Sequence, residues 1–234
     1  MTYFTLHGPM RWLFIFHVIA GSLALAIFLI PLLTKKGGKL HVRTGWLYTL
    51  VMVAVGVSAF IITPWRIFWD PERTESSAGF SAFLFFISIF TLSSVWYGLV
   101  VLKNKKRTAP SQELAHLGPP FLLAFSGLGA QLLGLYLGNL TLVIFPFISH
   151  SVARDQIRYW RSSPKSKMHW WYAHMYGMFS ACIATITAFL VTAIPRLWPN
   201  DFTKSPVLWV APGLILGFIL KKWTEKYRVQ FGDA

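Results

Sequence analysis

Acidic residues are scarce in this chain: eight of 234, against 22 lysines and arginines. Cysteine is scarcer, with Cys182 alone, which excludes an intramolecular disulfide framework and any zinc motif built on cysteine pairs. Charged residues of both signs make up 13% of the chain, about half their usual share in soluble domains. Also missing are a Walker loop, a dinucleotide fingerprint, a Cys-x-x-Cys pair and a Gly-x-Ser-x-Gly elbow. Nucleotide hydrolysis, covalent haem attachment and serine-hydrolase chemistry therefore have no sequence support. No internal repeat divides the chain into similar halves, which argues against an inverted-repeat transporter.

What remains is apolar: 55% of the residues are hydrophobic and the mean hydropathy is +0.52. The stretch Met168–Ile194 runs 27 residues without a formal charge and is apolar nearly all round, which suits lipid. Taking about 20 residues as the length that crosses a bilayer, the sequence predicts seven spans. They lie near 11–33, 44–63, 80–102, 119–137, 139–153, 169–194 and 206–220. The first is longer than the apolar core of a signal peptide and is expected to be retained. The fifth is short and holds Pro146, which frees a backbone carbonyl that lipid does not tolerate without a partner. In the fourth, Gly127, Gly129, Gly134 and Gly138 suit close helix packing, Gly134 and Gly138 forming a small-xxx-small pair. The expected fold is a single all-α domain over residues 1–234, a polytopic membrane bundle.

The net charge of +14 sits between these spans, so it reads as an orientation signal rather than a nucleic-acid surface. Four alternate segments hold 17 of the 22 basic residues, in the groups Lys35–Arg43, Lys103–Arg107, Arg154–Lys167 and Lys221–Arg228. Only Arg11, Arg66, Arg73, Arg196 and Lys204 fall on the other side. The positive-inside rule then places the amino terminus outside and the carboxyl terminus in the cytoplasm, in a cell's inner membrane. The basic edges are expected to touch anionic lipid head groups. Tryptophans cluster at both predicted edges, Trp160, Trp170 and Trp171 among the inner ones, as an aromatic belt requires.

Ionisable groups inside a membrane are functional candidates by default. His17 lies about 9 Å from the outer edge and His174 a similar depth from the inner one, at 1.5 Å rise per residue. His41, His116, His150 and His169 join His174 on the cytoplasmic side. Two imidazoles from different helices suit the axial positions of a b-type haem, with His174 as one ligand, His41 or His116 as the other, and His17 as an outer candidate. Gly177 and Gly45, near His174 and His41, leave room for a flat ring. A zinc-dependent hydrolase would instead use His41, His174 and Asp155. A transporter, a homo-oligomer or a non-catalytic subunit of a membrane complex completes the range.

The strings His17-x3-Gly21, Lys36-Gly37-Gly38-x2-His41-x3-Gly45-x2-Tyr48 and His174-x3-Met178 leading to Thr187-Ala188-Phe189 resemble a family of predicted bacterial inner-membrane proteins with no assigned activity. The resemblance spans about a third of the chain. It implies a bacterial multi-helix membrane protein whose recurrent positions include His17, His41, Asp155 and His174. There is a more distant likeness to haem-b membrane cytochromes, through paired helix histidines. The seven-helix hydrolases that include alkaline ceramidases and adiponectin receptors share the span count, but their His-x3-His signature is absent.

Overall fold

A computed structural model of the chain describes residues 8–202, 205 and 207–233. His7, Lys204 and Pro206 lie outside the described residues. The described residues are helical: α1 Pro9–Ile27, α2 Leu29–Leu33, α3 Lys39–Phe68, α4 Glu75–Lys103, α5 Leu114–Leu137, α6 Leu140–Ile144, α7 Pro146–Arg161, α8 His169–Thr192, α9 Ile194–Leu197 and α10 Val207–Phe231. Six stretches are long and apolar enough to cross a membrane: Pro9–Leu33, Lys39–Phe68, Glu75–Lys103, Leu114–Leu137, His169–Leu197 and Val207–Phe231. They match six of the seven expected spans. The seventh, 139–153, becomes α6 and α7, and α7 runs on to Arg161 through Arg154, Asp155 and Arg158. That polar second half keeps it out of the apolar group.

Proline explains the interrupted helices. α1 gives way to α2 at Phe28, α6 to α7 at Phe145 and α8 to α9 at Ala193, each one to three residues before Pro31, Pro146 or Pro195. Proline lacks an N–H and its ring crowds the carbonyl four residues back. Pro64 and Pro212 are carried inside α3 and α10. Several hydroxyls within the helices are satisfied locally. Thr49, Ser58, Thr63, Ser88 and Thr185 each donate to the carbonyl four residues back, which keeps polar side chains out of an apolar surround.

The chain packs as two compact units, Met1–Leu92 with Pro120–Asp155, and Ser93–Pro119 with Gln156–Ala234. In the first, α1 and α2 pack on α3. Gly56 of α3 accommodates Leu92, whose Cγ would stand 2.6 Å from an added Cβ. The hairpin of α5 with α6 closes on Gly134, where an added Cβ would meet Leu142 Cβ at 2.7 Å. Gly138, with φ of 62°, makes the turn itself. The expected glycine pair therefore divides its work: Gly134 packs and Gly138 reverses the chain, while Gly129 faces open space. Near Pro146, Gln131 Nε2 donates to the Val143 carbonyl at 3.3 Å, supplying a partner where the proline disturbs the helix ladder.

In the second unit α8 packs on α10, with Phe179 against Trp223 at 5.4 Å between ring centroids. α8 also meets the end of α4 at close range, since a Cβ on Gly177 would lie 2.8 Å from both Gly98 N and Ser94 O. Trp160, expected in an aromatic belt, is instead 1% exposed. The outward faces stay apolar: on α1, Trp12 is 71% exposed and Phe16 and Ile19 are also on the surface.

Candidate functional site

Each candidate histidine belongs to a different local device, and hydrogen-bond chemistry fixes which ring nitrogen carries the proton. At the end of α2, Gly37 with φ of 75° turns the chain back. Lys36 Nζ then donates to the carbonyls of Pro31 and Leu32 at 2.9 and 2.5 Å. His41 Nδ1 reaches the same Pro31 oxygen at 2.9 Å. A carbonyl only accepts, so Nδ1–H is the donor and the neutral ring carries its lone pair on Nε2. These contacts satisfy the carbonyls that a helix end leaves bare. Burial pushes the Lys36 amine below its ordinary pKa. The string Lys36-Gly37-Gly38-x2-His41 is thus first of all a helix-ending turn. One turn on from His41, Gly45 meets no atom within 4 Å of where its Cβ would stand.

His17 of α1 bonds through Nδ1 to Ser58 Oγ of α3 at 2.8 Å. The single hydroxyl proton of Ser58 is directed to the carbonyls of Ala54 and Val55. Ser58 therefore accepts, and His17 has the same tautomer as His41.

His174 sits at the α8 crossing of the second unit. Its Nδ1 donates to the Gly98 carbonyl of α4 at 2.7 Å, one turn from the Gly177 contact. The tautomer is again Nδ1–H. The room that Gly177 was expected to leave for a flat ring is filled by the α4 backbone. Gly45 keeps its open space.

His116 departs from the haem expectation. Its Nδ1 bonds Ser111 Oγ at 2.6 Å, and its Nε2 takes a hydrogen from Asn104 Nδ2 at 3.2 Å. The Asn104 amide also donates to the Val100 carbonyl, which identifies Nδ2 as nitrogen. The ring lies flat on Trp160 at 3.9 Å between centroids. Its lone pair is already used, so His116 does not fit as an axial ligand; it ties the start of α5 to the end of α4. His150 has the opposite proton placement, because Nε2 bonds Gln131 Oε1 at 2.9 Å while that amide's nitrogen is committed to Val143.

Asp155 is 61% exposed in its side chain and stands 3.4 Å from Arg154 Nε, an ordinary surface pair. Among the described residues, no three His, Cys, Asp or Glu side chains gather where a metal ion would be held. The trio His41, His174 and Asp155 expected for zinc is therefore not assembled.

Charge counting treated Arg107 as one more orientation signal, and missed its structural role. Its guanidinium donates to the carbonyls of Ala109, Ser162 and Tyr159 at 2.7–2.9 Å and lies over the Tyr159 ring. It ties the segment after α4 to the end of α7. Only its being arginine amid lysines marked it in the sequence, since a planar fork holds several carbonyls where an ammonium does not. Ser58, Asn104 and Ser111 carried no such signal. No family model, curated protein or solved structure matches the chain.

Proposed function

We propose that the protein is a multi-pass protein of the bacterial inner membrane that holds b-type haem, with His41 of the first unit and His174 of the second each as a candidate axial ligand. The observation that carries this reading is the proton placement that the two rings have in common. Each gives Nδ1–H to a main-chain carbonyl, the arrangement that directs the Nε2 lone pair toward iron in haem and metal sites. Haem asks for one nitrogen from each of one or two helices, whereas catalytic zinc asks for about three protein donors, which favours haem over a zinc hydrolase here. The open face beside Gly45 makes His41 the roomier of the two. When bound, such a group supplies one-electron transfer. The chain's part is to orient the imidazoles and to keep an apolar surround.

The test is an absorption spectrum of the detergent-purified protein. A Soret band that is lost in His41→Ala or His174→Ala and kept in His116→Ala supports the reading. A colourless protein, or a band indifferent to both changes, rejects it.

The membrane arrangement we propose has seven crossings, with α6 and α7 together forming the fifth, the amino terminus outside and the carboxyl terminus in the cytoplasm. The segregation of 17 of 22 basic residues onto alternate segments supports the odd number. Single cysteines placed at 73 and 232 in a Cys182→Ala background test it with an impermeant maleimide on intact spheroplasts. Labelling at 73 and protection at 232 are expected; labelling at 232 reduces the count to six.

A further inference from the structure

The segment after α4 and the connection between α7 and α8 form an open cleft of about 480 Å³ in the second unit, lined by Lys105, Lys106, Arg107, Lys165, Lys167 and His169, with Thr108, Pro164 and Ser166 between them. Five of these are cations, and no carboxylate is among the lining residues. Among the described residues, none of the four lysines has an acidic partner. Lys105 Nζ is held 4.3 Å over the Trp170 ring, a contact that positions its charge without neutralising it. The carboxylate bonded to a lining residue is Asp233, which accepts from Ser166 Oγ at 2.5 Å and from Tyr172 Oη at 2.9 Å. Two hydroxyl donors already occupy it.

A buried donor points to what the cleft is made for. His169 is 9% exposed, and its Nε2 has no hydrogen-bond partner among the described residues, although the Lys105 main chain is close by. Its Nδ1 lies 2.7 Å from Tyr159 Oη. Arg107 Nε is a buried donor with no hydrogen-bond partner among the described residues. The opening turn of α8, a helix of 24 residues, adds its partial positive charge at the same place.

We propose that this cleft binds the phosphate group of an anionic phospholipid head. Lysine ammonium groups supply compact charge, Arg107 Nε supplies a directed donor, the α8 opening turn adds its partial positive charge, and Lys103 and His169 bound apolar helices that would bring the cleft to headgroup level. The proposal rests on the membrane reading but not on haem, so a colourless protein leaves it standing.

The test titrates the full chain in detergent with phosphatidylglycerol, phosphatidylcholine and inorganic phosphate, counting adducts by native mass spectrometry. Phosphatidylglycerol is expected to be retained ahead of phosphatidylcholine. Changing Lys105, Lys165 and Lys167 together to Gln should weaken it about a hundredfold, and Lys105→Gln alone about fivefold, should the triple variant not fold. The same changes at Lys221, Lys222 and Lys226 should move it by no more than about twofold. Binding of inorganic phosphate alone, with the same sensitivity, upholds the site and assigns it a soluble phosphate. Equal losses in both sets of variants, or no retention of either probe, overturn it.

Discussion

His41 and His174 make the same bond in opposite settings. Both give Nδ1–H to a main-chain oxygen, and both have a glycine about one helical turn further on. At His41 the oxygen is the bare end of a short helix, already shared with Lys36, and the glycine faces emptiness. At His174 the oxygen belongs to the last turns of a long helix, and the glycine is pressed against that helix's backbone. A histidine with glycine three or four residues later therefore has two meanings that a sequence does not separate. One is a turn with space beside it; the other is a crossing with none.

Substitutions break this comparison in order of effect. Gly177→Leu drives a side chain into the backbone at Ser94 and Gly98 and should destabilise the protein by about 3 kcal/mol, read as a lowered thermal-unfolding midpoint in detergent. An unchanged midpoint would mean the crossing is looser than 2.8 Å implies. His116→Phe keeps a ring on Trp160 but strands Asn104 and Ser111, with an expected loss of about 2 kcal/mol and no change in any Soret band. Lys36→Met removes two donors from the end of α2 and should cost about 1 kcal/mol; no effect in the same assay would assign those carbonyls to His41 alone. The smallest change is expected at Gly45→Ala. With open space beside it, it should gain about 0.5–1 kcal/mol from the better helix propensity of alanine, the opposite sign to Gly177.

The long apolar runs made six of the helices legible, because a bilayer-length stretch without charge has few alternatives. The stretch 139–153 was harder, since its apolar half ends near Ile148 and its helix continues on amphipathic grounds to Arg161. Four site histidines could be picked out as ionisable groups in or near apolar helices. The local partner of each ring could not. It depends on Asn104 and Ser111 reaching His116, and on Pro31 and Gly98 offering oxygens to His41 and His174, contacts between residues up to 76 positions apart. Trp160 misled for a similar reason: a tryptophan near a helix end suggests an interface, while its burial against His116 is a tertiary fact.

The meeting of α4 and α8 at Gly98 and Gly177 also limits how this part of the molecule can move. Sliding one helix along the other would break the bond from His174 to the Gly98 carbonyl and push Met178, whose Sδ stands 3.0 Å from where a Cβ on Gly98 would lie, into the opposite backbone. His174 therefore latches the crossing in the one alignment its glycines allow.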